Sequence, residues 1–397
     1  MDAKRKAPEG RNETVRPLFI GSEVFRQTRY GSDHPLSIPR VSLAMDLCRS
    51  LGWLDADNFL DAPVASAVDL ADFHDPAYID ALERADCDQT VSPEVAARHH
   101  IGINGNPIFD GMFRRPATAC GAGLLAATRL ARAPGVYYSP SGGQHHGRPD
   151  RASGFCFLSE PVLSIRAMLR AGLGRVFYLD LDAHHGDGVQ DAFDDEPRVF
   201  TVSIHEAGRW PMVRDGARDG ARDGAPGGLG TVEDRGGGQA RNLPVLEGFN
   251  DSELEFLMEA VVLPILTDFA PDAVYIQGGC DALADDPQSR LALSNGALWR
   301  AVAMVGGVTE RLLVTGGGGY NPYAVGRCWA GMWATLNGLA IPATLPAATE
   351  ALLRGIDWRH RRGRVPAAHW LATLSDKPAP GPVRDNIKKL AAKVLDA

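Results

Sequence analysis

Residues 176–188 read VFYLDLDAHHGDG, an apolar run that passes directly into carboxylates, imidazoles and glycines. The first four residues are β-branched, aromatic or aliphatic, which is typical of a strand covered on both faces. Similar runs lie at residues 136–138, 199–202, 273–276 and 312–314, and predicted helices lie at 161–171, 251–269 and 295–310. Strands that alternate with helices in this way predict a three-layer α/β fold with a parallel sheet.

Polar and glycine-rich segments follow all five runs, at the point where each strand would end. They read SGGQHHG at 141–147, DLDAHHGDG at 180–188, SIH at 203–205, QGGCD at 277–281 and GGGGY at 316–320. Because functional sites of parallel α/β sheets gather at the carboxyl ends of the strands, these segments should converge. The sequence therefore predicts one site built from five strand ends.

Three of these residues make a candidate metal site. Asp182 and His184 stand two apart at a strand end, so their side chains should project to the same side, and Asp281 follows another strand. Three protein ligands leave a position open for water or substrate, as in catalytic metal sites. Zinc fits this donor set, and iron(II) is also compatible with it. The alternative is that these residues are hydrogen-bonded polar groups at the sheet edge.

Other residues at the same edge could move protons and stabilise charge. His145 and His146 are adjacent, and Asp180 and Asp187 are the candidate carboxylates that would orient them. Tyr320 follows four glycines and could donate a hydrogen bond to an oxyanion. The histidines could instead be loop hydrogen-bonders. The glycine run could be a phosphate-binding turn, although no lysine follows at P-loop spacing.

Composition narrows the class of protein. The chain has 397 residues, 45% hydrophobic and 23% charged, and 41 basic against 49 acidic residues give a net charge of −8. That balance disfavours nucleic-acid binding. Six scattered cysteines without CxxC spacing favour reduced thiols. No apolar run is long enough for a bilayer and no signal peptide is recognisable, so we expect a cytoplasmic protein without a membrane partner.

The sequence also predicts how the chain divides. Residues 1–16 are charged and read as a flexible tail, residues 17–375 as a single catalytic domain, and residues 376–397 as a C-terminal extension. Three near-identical Arg-Asp-Gly-Ala tetrads at 214–225 predict a flexible surface insertion over about 212–230.

Several long motifs, in order, resemble the zinc-dependent histone deacetylase family. They are GGQHH at 142–146, ASGFC at 152–156, DLDAHHGDG at 180–188 and GGGGY at 316–320. RPDR at 148–151 and HEAGR at 205–209 are most similar to the bacterial acetoin-utilisation branch. The resemblance covers roughly residues 34–338. It implies an arginase-like fold with a central, mainly parallel eight-stranded sheet.

The resemblance also implies removal of an acetyl or acyl group from an amine such as acetyl-lysine, by attack of metal-bound water. The three metal ligands would hold zinc. His146, backed by Asp187, would be the general base and acid, and His145, backed by Asp180, would tune the electrostatics. Tyr320 would polarise the acetyl carbonyl.

Further roles follow from the same resemblance. Phe155, with the preceding Gly154, would line one wall of the acyl-lysine tunnel, and Trp210 the other. Arg40 matches the arginine of an interior acetate-release channel. The side-chain ligands of a monovalent cation, usually potassium, would be Asp180 and Ser203.

Three features depart from the family pattern, all at the tunnel rim. Gly105 stands where peptide-acting members carry an aspartate that grips the substrate backbone, and Gln288 replaces an apolar rim residue. The tetrads and residues 228–231 replace the usual rim loop. An acetylated protein or peptide and a small acetylated amine such as an acetyl-polyamine therefore both remain candidate substrates.

Two other functions fit parts of the pattern. An arginase-like ureohydrolase shares the Asp-x-His motif, but Gly186 and Gly279 stand where second-metal carboxylates would be needed. A non-catalytic binder of small amides would keep the fold without turnover. The sequence makes no prediction of the oligomeric state.

Overall fold

Eight strands form one sheet in the computed structural model, which describes residues 16–27, 30–31, 34–211 and 228–396. Every pairing between neighbouring strands is parallel, and the order is β2-β1-β3-β8-β7-β4-β5-β6. The strands are β1 Leu18–Gly21, β2 Phe59–Asp61, β3 Gly135–Ser139, β4 Val176–Asp180, β5 Val199–Glu206, β6 Ala240–Val245, β7 Ala273–Gln277 and β8 Arg311–Thr315.

Helices surround the sheet. The α-helices are α1 Val24–Gln27, α2 Val41–Ser50, α3 Ala67–Leu70, α4 Pro76–Asp88, α5 Pro93–His99, α6 Arg114–Arg132, α7 Glu160–Arg170, α8 Asp187–Ala192, α9 Asp251–Leu257, α10 Leu263–Phe269, α11 Asn295–Gly306, α12 Pro322–Leu336, α13 Ala347–Arg354, α14 Ala368–Ala372 and α15 Asp385–Leu395. A π-helical turn, Met258–Val262, joins α9 to α10, and Arg361–Gly363 forms a 3-10 turn. No described helix has the length and apolar character needed to cross a membrane.

The central strands are buried on both faces. Phe177 and Leu179 of β4 belong to one hydrophobic cluster, whereas Val176 and Tyr178 belong to a second one. Successive strand residues point to opposite faces, so the two clusters lie on opposite sides of the sheet. This arrangement confirms the predicted three-layer fold.

All five predicted strands are present, and the structure adds β1, β2 and β6. Strand β5 continues to Glu206, so Ser203 and His205 lie within the strand and not after it. The predicted helix over 295–310 ends at Gly306, where two glycines stop it. The helix over 251–269 contains the π-helical turn next to Pro264, which has no N–H to donate to the helical ladder.

The structure describes part of the predicted insertion and most of the C-terminal extension. Residues 214–225, which hold the tetrads, lie outside the described residues. Part of the predicted flexible insertion is folded, because the Gly230 N–H donates to Asp234 (2.8 Å) and the Gly230 carbonyl lies 2.9 Å from His205 Nε2. The C-terminal extension packs on the same body, with Ile387, Ala391 and Val394 buried in the first hydrophobic cluster.

Candidate active site

The structure brings the three predicted metal ligands together. Asp182 and His184 follow β4, and Asp281 follows the neighbouring strand β7. His184 Nδ1 lies 3.1 Å from Asp182 Oδ1 and 2.9 Å from Asp281 Oδ2. One candidate ligand atom from each residue lies within 4.8 Å of the other two, and both carboxylates are fully buried. These residues could therefore hold a single metal ion.

The surroundings of this group suit a divalent cation. Asp182 and Asp281 are buried close together. Burial of His184 opposes a charged imidazole, but the two carboxylates outweigh it and raise the pKa of His184 to about 10. A Cβ atom at Gly318 would overlap both carboxylates. The glycine thus lets the backbone approach the acidic pair, whose excess negative charge a cation would neutralise.

Two glycines next to the candidate ligands leave no room for further carboxylate side chains. A side chain at Gly186 would overlap the carboxylate of Asp180, and one at Gly279 would overlap that of Asp182. These are the two positions where a ureohydrolase would need its second-metal carboxylates. The arrangement therefore argues against a two-metal hydrolase.

Both predicted histidine–carboxylate pairs are present beside the candidate metal ligands. His145 Nδ1 lies 2.7 Å from Asp180 Oδ2, and His146 Nδ1 lies 2.6 Å from Asp187 Oδ1. Burial opposes a charged His145, but Asp180 and Asp182 raise its pKa to about 9. Burial and the charge of His145 lower the pKa of His146 to about 3. Both effects favour the neutral imidazole of His146, which is the form that can accept a proton.

Three residues to which the sequence analysis gave no role hold the predicted ones in place. The buried Arg148 donates to Asp187 and Asp191, and its charge, against the effect of burial, keeps the pKa of Asp187 well below its usual range. Gln277 Nε2 donates to Asp182 (2.9 Å). Asp286 Oδ2 accepts the Tyr320 N–H (2.6 Å). Arg148 stands inside the quoted RPDR motif, but only the fold shows that its guanidinium is buried and donates to the carboxylate that pairs with His146.

Tyr320 reaches the site on the loop between β8 and α12. Gly319 has a φ of +137°, a conformation that L side chains rarely adopt, and Asn321 caps α12 by accepting the N–H groups of Tyr323 and Ala324. The ring of Tyr320 lies edge-on to Phe155, with centroids 6.2 Å apart. The glycine loop and the helix cap together fix the phenol.

The three predicted tunnel residues line one cavity of about 270 Å3, together with His146, His184 and Tyr320. The Trp210 ring lies 4.7 Å from that of His146, in T-shaped geometry. A Cβ atom at Gly154 would lie 2.6 Å from both His146 Cδ2 and Trp210 Cη2. The absence of a side chain at Gly154 is therefore what allows the tryptophan to approach the histidine.

The structure also shows the surroundings of Gly105 and Gln288, the two described rim residues that depart from the family pattern. Gly105 has a φ of +78°, and a Cβ atom there would lie 2.6 Å from the ring of Phe155. The Gly105 carbonyl lies 3.0 Å from His34 Nε2. Gln288 lines the tunnel cavity and also a wider neighbouring groove. The tunnel wall thus occupies the space that a side chain at position 105 would need.

The remaining predicted residues lie close to the same centre. Arg40 Nη1 donates to the Gly317 carbonyl (2.7 Å), and Arg40 lines a small interior cavity next to His145 and Tyr320. Asp180 and Ser203 are paired in register across β4 and β5, and both are buried.

Comparisons with known proteins agree with this geometry. Residues 34–336 match the histone deacetylase domain family. The chain is 32% identical over 343 residues to histone deacetylase 8 of Xenopus tropicalis, covering 84% of this chain and 87% of that protein. It is 32% identical over 330 residues to putative histone deacetylase 2 of Caenorhabditis elegans, covering 80% of this chain and 61% of that protein.

A solved structure shows the same likeness. The crystal structure of a histone deacetylase homologue from Aquifex aeolicus superposes with a TM-score of 0.87 at 32% identity, covering 96% of this chain and 99% of that one. A homologue solved in complex with SAHA gives the same values.

Proposed function

Because the chain belongs to the histone deacetylase family and is a deacetylase, we propose that it hydrolyses N-acetyl amides of amines such as acetyl-lysine. The observation that carries the proposal is the position of His146 and Tyr320, which line one tunnel together with the metal-ligand residue His184. Amide hydrolysis needs a proton acceptor and an oxyanion donor beside an electrophilic centre. In the proposal His146 is the proton acceptor and Tyr320 the oxyanion donor, and a metal held at His184 would be the electrophilic centre.

Zinc is the metal that we propose for Asp182, His184 and Asp281, with iron(II) as the alternative. When bound, such an ion would polarise the acetyl carbonyl and lower the pKa of water. Potassium or another monovalent cation is proposed beside Asp180 and Ser203, which are neighbours in the sheet. A cytoplasmic location and closeness to the acetoin-utilisation branch are proposals that rest on sequence patterns.

We assign proton transfer to His146. Its Nδ1 is engaged by Asp187, so Nε2 is the atom that can take a proton from the attacking water and return it to the departing amine. Arg148 holds Asp187 ionised and in place. His145, held by Asp180, places a positive charge beside His146 and favours its neutral form before the water attacks the carbonyl carbon.

Tyr320 is the proposed oxyanion donor, and its backbone is held by Asp286. The lysine-like stem of the substrate would lie between Phe155 with Gly154 on one side and Trp210 on the other. Arg40 would accompany the released acetate through the interior cavity.

A small acetylated amine such as an acetyl-polyamine is the second candidate substrate. The specific observation is Gly105, because Phe155 fills the space that a substrate-gripping side chain at that position would occupy. Without such a side chain, the described rim has less to hold a peptide backbone, and a slender amine needs no such contact.

Turnover of acetyl-lysine peptides, acetyl-polyamines and longer acyl-lysines, with zinc and with iron(II), tests the proposal. Tyr320→Phe should keep the metal and lower kcat about a hundred-fold or more. Tyr323→Phe is the matched control, since this buried tyrosine lies on α12 and its hydroxyl donates to the Ile356 carbonyl. Unchanged turnover in Tyr320→Phe, or in His146→Ala, would refute the assigned roles.

A further inference from the structure

A wide groove opens beside the tunnel. This rim groove, of about 880 Å3, shares Tyr320 and Gln288 with the tunnel cavity and extends to residues 355–360, which follow α13. Its volume is in the range of cavities that bind ligands. The part of a substrate that projects from the tunnel mouth would therefore lie next to this groove.

The rim groove ends at a basic segment. Residues 357–364, here called the basic segment, read DWRHRRGR, with four arginines against one aspartate. Arg359 lines the groove, and Arg359 and Arg361 are both exposed and form no ion pair within the described part of the chain. The whole chain has a net charge of −8. Because charges are screened over about 8 Å at physiological ionic strength, the local positive charge decides what the segment attracts.

The basic segment is fixed against the loop that carries the proposed oxyanion donor. The buried Trp358 stacks on His360, with ring centroids 4.8 Å apart. Arg362 donates to the Asp285 carbonyl (2.8 Å), and the side-chain amide of Asn321, at the start of α12, donates to the same carbonyl (3.1 Å). These contacts hold the segment in a defined position relative to the tunnel mouth.

Few carboxylates face the substrate path. Among the described residues that line the rim groove, the carboxylates are Asp46 and Asp357, and Asp46 forms two hydrogen bonds with Arg26 (2.7 Å each). The described residues that line the tunnel cavity include no carboxylate. The ammonium groups of a polyamine therefore find little negative charge on these surfaces, whereas an acidic side chain finds guanidiniums that form no ion pair.

We propose that the basic segment docks acidic residues of a peptide, so that the preferred substrate is an acetyl-lysine flanked by aspartate or glutamate. This inference rests on the proposed function and specifies its substrate class. The residues that flank an acetyl-lysine stay outside the tunnel and can enter the rim groove. Arg359 and Arg361 are the specificity-determining residues, because guanidiniums pair with carboxylates through charge-assisted, often bidentate hydrogen bonds. Such contacts would hold a peptide although Gly105 offers no side chain.

Three acetyl-lysine peptides test the inference. They carry glutamate, glutamine or lysine at the two positions on each side and are otherwise identical. The kcat/KM for the glutamate peptide should exceed that for the glutamine peptide about three- to tenfold, since each exposed ion pair contributes roughly two- to fivefold. The lysine peptide should be the poorest substrate. The difference should lie in KM, because the arginines do not touch the reacting amide, and it should shrink at high salt.

A double variant connects this preference to the basic segment. Arg359→Gln with Arg361→Gln should make the three peptides equivalent within about twofold. Arg129→Gln with Arg132→Gln is the matched control, because it removes two exposed arginines from the last turn of α6. That turn precedes the first residue of β3 and so lies at the sheet edge opposite the site. The control should keep the full preference.

Binding of the deacetylated products separates this inference from turnover. The fluorescently labelled glutamate and lysine product peptides would be titrated with the zinc-loaded chain and followed by anisotropy. The glutamate product should bind at least threefold more tightly, and the double variant at 359 and 361 should abolish this difference. Equal binding and turnover of the two peptides, or a glutamate preference that survives in the double variant, would overturn the inference. A binding preference without turnover of any acetylated compound would instead overturn the proposed function.

Discussion

Gly154 lies next to His146, the proposed proton acceptor, in the wall of the predicted tunnel. It has a φ of +53°, and a Cβ atom there would press on His146 and Trp210. The next residue, Phe155, also has a positive φ (+67°), and the side chain of Asn106 accepts its N–H (3.0 Å). The backbone is therefore held in an uncommon conformation so that an aromatic ring and an imidazole can share a narrow space.

We predict that Gly154→Ala lowers kcat/KM for an acetyl-lysine peptide at least tenfold, because the added methyl must displace His146 or Trp210. Steady-state kinetics and metal analysis would show a loss of turnover with the metal retained. Gly52→Ala is the control, since Gly52 also has a positive φ (+70°) but a Cβ atom there would meet nothing within 4 Å. Equal activity in both variants would contradict this role of Gly154.

The sequence can identify a site residue when that residue belongs to a local motif. Asp182, His184 and the histidine pair were predictable because the chain places them next to apolar strands. Asp286 could not be assigned a role, because its hydrogen bond to Tyr320 joins loops 34 residues apart.

His74 joins three segments around the site. Its Nδ1 lies 3.0 Å from the Arg148 carbonyl, and its Nε2 accepts the N–H of Ser159, the residue that precedes α7. Accepting this hydrogen bond requires a neutral imidazole, and burial lowers the pKa of His74 to about 4. Protonation of His74 would therefore break the connection between α7 and the loop that carries Arg148.

This pKa predicts a pH-dependent stability. An unfolded histidine has a pKa near 6.5, so the unfolded state binds a proton that the folded state does not between pH 6.5 and 4. Stability is complete above pH 6.5 and falls as the pH drops towards 4. Between pH 7.5 and 5 the loss from this group is about 2 kcal/mol.

Urea unfolding of wild type and His74→Gln at both pH values measures the effect. Glutamine keeps a donor and an acceptor but does not titrate, so the variant should lose about 2 kcal/mol less than wild type between pH 7.5 and 5. Identical losses in the two proteins would show that His74 is not the responsible group.

The sequence predicted the central strands of the sheet but not its edge strands. The central strands β4 and β7 are buried on both faces and read as continuous apolar runs. Strands β2 and β6 lie at the two edges of the sheet, and β2 has only three residues, none of them buried. Strand β6 includes Pro244, which cannot donate to a ladder. Edge strands lack the pattern that identifies central ones.

The C-terminal extension is integrated into the whole molecule. Helix α15 buries Ile387, and Arg384, just before the helix, pairs with Glu253, whose side chain is fully buried (2.6 Å). The sequence analysis set residues 376–397 apart as an extension, whereas Ile387, Ala391 and Val394 of α15 are buried in the first hydrophobic cluster.

We therefore predict that Ile387→Ala lowers the global free energy of unfolding by about 2–4 kcal/mol. Lys389→Ala, on the exposed face of the same helix, should change it by less than about 0.5 kcal/mol. Urea titration followed by tryptophan fluorescence gives both values. If α15 were an independent extension, the Ile387 variant would leave the main transition unchanged.

The proposed deacetylase site holds one metal ion. The most direct measurement is acetate release from an acetyl-lysine peptide, or from the best acylamine of the panel, while metal-free chain is titrated with zinc or iron(II). We predict that activity rises linearly and levels off at one equivalent per chain, because Asp182, His184 and Asp281 form a single site. A break at two equivalents, or turnover that does not depend on added metal, would contradict a deacetylase site with a single metal ion.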